Sequence, residues 1–206
     1  MTDLTEEEKI TKAAYDKYGK AWAAANVMGD FWRPYIHKFH RILPEGNILE
    51  IGCGSGRDAQ DLIKLGYGYT GTDITDSFID FCRQRLPGQK FIRQSVYDLY
   101  FPGHKFDGFW ACASLIHVPK ARMGEALQSI KSVVKLGGVG FISLKDGDNE
   151  YVRRDKIADL DMERFFAYWK KNEFALELER NGFKIVNYEF NDSQETKWHC
   201  FFVKTT

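Results

Sequence analysis

Two hydrophobic rhythms take turns along the chain. A short apolar run at Ile48 to Ile51 follows Pro44-Glu45-Gly46 and predicts a strand; Ala59, Leu62 and Ile63 then recur at helical spacing until Gly66. YGYTGTD (67–73) predicts a second strand. TDSFIDFCRQRLP (75–87) predicts a second helix, with Thr75 or Asp76 as its cap and Pro87 beyond its end. KFIRQSV (90–96) and FDGFWACAS (106–114) predict strands three and four. Pro119 then opens a helix whose Met123, Leu127, Ile130 and Val134 share a face, Gly137-Gly138 stops it, and VGFISL (139–144) is a fifth strand.

Strand and helix therefore alternate, which predicts an α/β protein with a parallel sheet covered on both faces. The two ends differ from this middle. Residues 5–43 read as helical with a break at Pro34, and carry Tyr15, Tyr18, Trp22, Phe31, Trp32, Tyr35 and Phe39. After the fifth strand, residues 145–169 read as a long polar loop leading to an aromatic cluster, and ERFFAYWKKNEFALELERNG (163–182) as one or two helices. FKIVNYEF and KWHCFFVK then follow with only a short polar link. Without a crossover helix, adjacent strands pair antiparallel, so the sheet should end in a hairpin.

Lys+Arg and Asp+Glu both number 29, which removes the electrostatic footprint of a nucleic-acid or acidic-membrane binder. Cys53, Cys82, Cys112 and Cys200 lie far apart with no C-x-x-C pair, so neither a disulfide frame nor a zinc site is expected. No run is apolar enough for a membrane span or a signal peptide. A cytoplasmic single domain of 206 residues is the expectation.

The chemistry concentrates in ILEIGCGSGRDA (48–59). Glycines spaced two apart at the end of a first strand clear side chains from the path of a ligand. From Gly54 onward GSGRDA satisfies the dinucleotide fingerprint, and Asp73 falls where an acid would hold a ribose hydroxyl. A nicotinamide-dependent oxidoreductase is thus one reading. Against it, the pattern is better described as Glu50-x-Gly52-x-Gly54-x-Gly56, and the closing hairpin leaves no second mononucleotide-binding half.

With YTGTDIT (69–75), RQSVYDLYFP (93–102), KFDGFWACASLIHVP (105–119) and LGGVGFISLK (136–145), the glycine segment completes five motifs in order. In this the chain resembles the class I S-adenosylmethionine-dependent methyltransferases. The resemblance implies a Rossmann-like three-layer sandwich with a seven-stranded sheet of order 3-2-1-4-5-7-6 and strand 7 antiparallel. It implies one domain with a helical lid (1–44), a cofactor-binding core (45–146) and an acceptor-side loop, helix and hairpin (147–206).

It also implies roles for residues. The backbone at Gly52, Cys53 and Gly54 would pack against the methionine part of S-adenosylmethionine. Glu50 would orient that loop or meet the amino group, unless it forms a strand-end ion pair. Asp73 would accept both ribose hydroxyls, two donors for two carboxylate oxygens. Ile74 and Phe78 would enclose the adenine, though Phe78 also suits a core. The adenine amine would meet Ser95 and Val96, with Asp98 as the alternative to Ser95. Ala111 and Cys112 would present backbone to the amino group and methyl. Tyr15 and Trp22 fall at lid positions. His117, just ahead of Pro119, is the candidate catalytic base, with a structural histidine as the alternative.

The expected activity is methyl transfer to a small-molecule acceptor, with S-adenosyl-L-homocysteine as product and without nucleic acid, membrane or metal. A methyltransferase acting on RNA or protein is the remaining alternative. Lys145, Arg153, Arg154 and Arg164 would suit an anionic acceptor, but interspersed acids make a solvated loop the expected setting.

Overall fold

A computed structural model describes residues 3–25, 30–103, 105–157, 159–192 and 195–206. Two helices come first, α1 (Glu6–Ala25) and α2 (Arg33–Ile42). β1 (Asn47–Ile51), α3 (Arg57–Lys64), β2 (Gly68–Asp73), α4 (Asp76–Arg85) and β3 (Lys90–Arg93) follow. Then come β4 (Phe106–Cys112), α5 (Met123–Val133) and β5 (Val134–Lys145). β6 (Glu150–Ile157), β7 (Leu160–Ala167), α6 (Lys171–Arg180), β8 (Phe183–Asn191) and β9 (Trp198–Thr205) complete the chain.

Seven strands form one sheet in the order β3-β2-β1-β4-β5-β9-β8. Counted along these seven alone, that is 3-2-1-4-5-7-6; the labels differ because β6 and β7 intervene as a separate hairpin. Leu49 of β1 stands opposite Thr70 on one side and Phe109 on the other, both in parallel register. β9 runs antiparallel to β5, and β8 pairs with β9 as the terminal hairpin. β1 and β4 are buried almost throughout, as strands covered on both faces must be. Trp110 of β4 stacks on Phe141 of β5 with centroids 4.0 Å apart and planes at 17°, inside one continuous core.

Several expectations need correction. Pro34 does not break a helix but sits in the first turn of α2, where its missing N–H has no partner to lose. α2 is scaffold, with Tyr35, Ile36 and Phe39 buried in the core, so only α1 has the place of a lid. α5 ends at Val133, and Gly137-Gly138 fall inside the extended segment of β5. Residues 150–157 and 160–167 pair as the β6–β7 hairpin rather than forming a loop and the start of a helix; Val152 pairs with Phe165 and Arg154 with Glu163. β7 is buried from Arg164 to Ala167 and so shows no alternation; such a run has no strand signature of its own.

α1 is fixed from its first turn. Thr5 and Glu8 form a reciprocal cap: the Thr5 N–H donates to Glu8 Oε2 at 2.8 Å and the Glu8 N–H to Thr5 Oγ1 at 3.3 Å. The buried Glu8 carboxylate also accepts from the Tyr97 hydroxyl and from Arg122 Nη1, the latter at 2.7 Å. Further along, Thr11 Oγ1 accepts the Phe165 N–H of β7 at 2.8 Å, and Ser77 Oγ of α4 donates to the Tyr15 carbonyl at 3.0 Å. Glu8→Ala removes three charge-assisted bonds at once. It should cost about 1.5–3 kcal/mol in urea unfolding and raise amide exchange in the first turns of α1. An unchanged midpoint would mean that α1 docks through its aromatic face alone.

Candidate active site

The carboxyl ends of β1, β2, β4 and β5, roofed by α1 and β7, enclose a cleft of about 540 Å³. Its floor is the turn between β1 and α3. Gly52 has φ +68°, and a Cβ there would come within 2.5 Å of Ser114 Cβ; Gly54 has φ +50°, and a Cβ there would meet nothing within 4 Å. Gly52 is thus required by packing against the β4 side. Gly54 is required by its backbone angle and keeps the space above the turn clear.

Asp73 ends β2 beside this turn. Its Oδ2 accepts the Gly54 N–H at 2.9 Å and its Oδ1 the Thr75 N–H at 2.8 Å. Burial raises its pKa while these backbone donors pull it back. Each oxygen has further acceptor capacity, as two vicinal hydroxyls would need. Glu50 is buried on the same wall and accepts from the Tyr69 hydroxyl. Burial, and then the Asp58 charge, push its pKa well up. Burial opposes ionisation of Asp58 too. Yet the guanidinium of Arg57, whose Nε donates to it at 2.5 Å, and Trp110 Nε1 at 2.9 Å keep its pKa low. Glu50 is therefore in no strand-end ion pair among the described residues; burial and the Asp58 charge disfavour its ionised form.

Tyr15, Trp22, Glu50, Gly52, Cys53, Gly54, Asp73, Ile74, Phe78, Ser95, Val96, Cys112 and His117 all line this cleft. Ala111 does not: it is fully buried in β4 opposite Ile142, and Cys112, Ala113 and Ser114 form that wall instead. Ala113 carries φ +53°, with its N–H held by Ser143 Oγ at 2.8 Å, a strained backbone placed at the cleft edge. Ser95 caps a single helical turn by accepting the Tyr97 N–H at 3.3 Å; Asp98 is exposed and outside the cleft. Tyr18 also lies outside it. The Cys112 thiol is raised well above its usual range by burial and is no nucleophile.

His117 reaches the cleft but is poorly suited to take a proton. Its Nδ1 lies 2.6 Å from the Phe165 carbonyl oxygen and must donate to it, which leaves Nε2 to accept from the Tyr15 hydroxyl at 3.1 Å. Arg164 Nη1 donates to that same hydroxyl oxygen at 3.0 Å. Burial pushes the imidazole down to about 3. His117 thus fixes the direction of the Tyr15 O–H.

Sequence reasoning missed Arg57, Asp58 and Trp198 as cleft residues and expected a solvated loop for Lys145 and Arg164, which line the cleft; Phe166, of the aromatic cluster expected as core and pocket wall, lines it too. Four buried polar atoms on cleft residues, Trp22 Nε1, Ser114 Oγ, Arg164 Nε and Trp198 Nε1, have no hydrogen-bond partner among the described residues. Orphans of this kind, gathered on one cleft, mark it as a place where a polar ligand belongs. Among the described residues there is no cluster able to hold a metal, and no helix long and apolar enough to cross a membrane.

The depressed histidine has a measurable consequence. Against an ordinary 6.5, a folded-state value of about 3 means that below pH 6.5 the unfolded chain binds a proton the folded chain refuses. Stability should fall as pH drops from 6.5 towards 3, by at most about 1.4 kcal/mol per pH unit from this residue. Urea unfolding of His117→Gln between pH 7 and 5 should show a shallower slope than the parent. Equal slopes would mean that the imidazole titrates normally.

Residues 48–138 match the family described as a methyltransferase domain. The fatty-acid O-methyltransferase of Mycolicibacterium smegmatis is 28% identical over 139 residues, covering 66% of this chain and 44% of that protein. The ubiquinone biosynthesis O-methyltransferase of Glaesserella parasuis is 24% identical over 216 residues, covering 93% and 88%. This chain spans about half the length of the first curated relatives it matches, 44%, 58% and 40% of three of them. Among solved structures, the 1,6-didemethyltoxoflavin-N1-methyltransferase of Burkholderia thailandensis, with its substrate and S-adenosylhomocysteine bound, superposes with a TM-score of 0.74. It is 19% identical and covers all (100%) of this chain and 93% of its own. Residues 48–138 thus match a methyltransferase domain, and the chain as a whole shares the fold of that solved methyltransferase.

Proposed function

We propose that this protein transfers a methyl group from S-adenosyl-L-methionine to a small-molecule acceptor. The observation that carries the reading is the joint geometry of the glycine turn and Asp73: a backbone cleared of side chains beside a buried carboxylate with acceptor capacity to spare. A nicotinamide dinucleotide would need a second nucleotide-binding half, and the sheet instead ends in the β8–β9 hairpin. Similar proteins named for fatty-acid and ubiquinone-biosynthesis O-methylation support a small acceptor, and the four free, buried thiols suit a reducing, cytoplasmic setting.

The cofactor, when bound, supplies a sulfonium-activated methyl group that needs no protonation of its leaving group. The residues of this chain bind, orient and dry the site. Asp73 holds the ribose, and the turn 52–54 takes the methionine portion. Glu50 faces the cationic amino group, whose arrival favours the ionised carboxylate that burial disfavours. Ile74, Phe78, Ser95 and Val96 form the adenine end. Tyr15 and Trp22 of α1 close over it in ring contact with Phe78, at centroid distances of 5.3 and 5.7 Å. That enclosure excludes water from the path between donor and acceptor.

Two measurements test this reading. Asp73→Ala should weaken S-adenosylhomocysteine binding by about 2–4 kcal/mol in calorimetry, since bonds from hydroxyls to a charged group are lost. A folded variant that binds as tightly as the parent removes the ribose assignment. Amide exchange across 6–25 should slow when S-adenosylhomocysteine binds, as a closing lid requires. Exchange equally slow with and without it would make α1 a fixed wall.

A further inference from the structure

Lys145 ends β5, opposite Trp198 of β9, at the far side of the cleft from Asp73. Its ammonium has no hydrogen bond or ion pair among the described residues. It lies 3.8 Å from the centroid of Phe166, 5.8 Å from that of Tyr168 and 6.0 Å from that of Trp198. Lys145 is half-buried, and a three-donor cation walled by rings and without an acceptor among the described residues is an unusual thing to withdraw from water. Burial, and then the nearby Arg164 charge, bring it down to about 8, so it remains mostly protonated at neutral pH.

Arg164 of β7 leans over the same Phe166 ring at 5.0 Å and is 7% exposed. Nη1 donates to Tyr15 and Nη2 to Asp155 Oδ2 at 2.9 Å, while Nε has no partner among the described residues. Asp155 is the counter-charge here, and it is shared: Arg153 Nε reaches its other oxygen at 2.5 Å. Lys145 and Arg164 at this end thus share the field of one carboxylate, Asp155, which the half-exposed Arg153 outside the cleft also claims. At the other end lie the carboxyl groups of Glu50, Asp58 and Asp73, with Arg57 paired to Asp58 and no cation paired to Asp73 among the described residues. Nearby Lys12 is paired with Asp16 at 2.6 Å, Glu8 with Arg122 at 2.7 Å, and His117 is neutral. The cleft is polarised, acidic at one end and basic at the other.

We propose that Lys145 and Arg164 form an anion-binding subsite, and that the methyl acceptor is a small, mostly apolar molecule carrying a carboxylate. This rests on the methyltransferase reading above and deepens it. The acidic end suits a cationic donor, and the basic end an anionic acceptor. Rings from Phe166 and Trp198 give the acceptor's apolar body a wall, and they lower the local dielectric in which the charge pairing is made. The carboxylate is the handle by which the acceptor is held; the acceptor atom is a separate matter.

The test uses the full chain saturated with S-adenosylhomocysteine. Benzoate and octanoate are titrated beside benzamide and octanamide at pH 7, followed by calorimetry and tryptophan fluorescence. The carboxylates should bind roughly tenfold or more tightly than the neutral amides. Lys145→Met, which keeps the packing over the rings, and Lys145→Gln should each shrink that ratio to within roughly threefold. Both should leave S-adenosylhomocysteine affinity within roughly twofold of the parent, and Lys145→Arg should retain the preference. If S-adenosylhomocysteine binds but the carboxylates gain nothing over the amides, or if their advantage survives loss of the ammonium, the subsite is wrong and Lys145 only packs on Phe166. If the parent fails to bind S-adenosylhomocysteine at all, the cofactor reading falls first, and this inference falls with it.

Discussion

The Asp73 carboxylate, buried at the end of β2, takes one backbone N–H from each of two loops: Gly54 after β1 and Thr75 before α4. Those two bonds tie the turn after β1 to the end of β2, next to the place between β1 and β4 where the strand order reverses in this doubly wound sheet. A carboxylate so deeply buried is tolerated because donors satisfy it, and the same charge then faces the cleft. Gly52 and Gly54 are consequences of this arrangement. One must pass against Ser114, and the other must turn through a left-handed angle without placing a side chain over Asp73.

From this fixed point the rest of the cleft follows by layering. Arg57, at the start of α3, keeps the Asp58 pKa low, while burial and the Asp58 charge push that of Glu50 up. α1 lies across the opening, held by Glu8 at its start and by Thr11 and Tyr15 along its length. The β6–β7 hairpin supports α1 from the other side and brings Arg164 to the Tyr15 hydroxyl. A chain of bonds therefore runs from Arg164 through Tyr15 and His117 to the Phe165 carbonyl, tying β7 to α1 and to the segment after β4.

The glycine turn and Asp73 were legible in the sequence because backbone chemistry writes itself into residue type. Glycines with positive φ, an acid at a strand end and a helix just after it are local features with fixed spacing. The opposite side of the cleft was not legible. Lys145 and Arg164 sit among acids along the chain and read as solvated surface. Arg164 is buried and Lys145 half-buried because β6 and β7 fold back as a hairpin against α1, a non-local pairing that spacing does not announce. β7 hid itself in the same way: covered on both faces, RFFA lost the alternation that marks a strand. His117 was correctly placed at the cleft, but its tautomer and its neutral state depend on Phe165, a residue 48 positions away. Ala111 was misplaced by a small margin, since the strained turn at Ala113 brings the residues just after it, rather than Ala111, to the cleft wall.

The central claim, that the glycine turn and Asp73 receive a methionine-derived nucleoside and not a dinucleotide, is tested most directly by calorimetry on the unmodified chain. S-adenosylhomocysteine and NAD are titrated side by side at pH 7. The account predicts saturable binding of S-adenosylhomocysteine at one site per chain and no heat from NAD. Saturable binding of NAD with none of S-adenosylhomocysteine would contradict it.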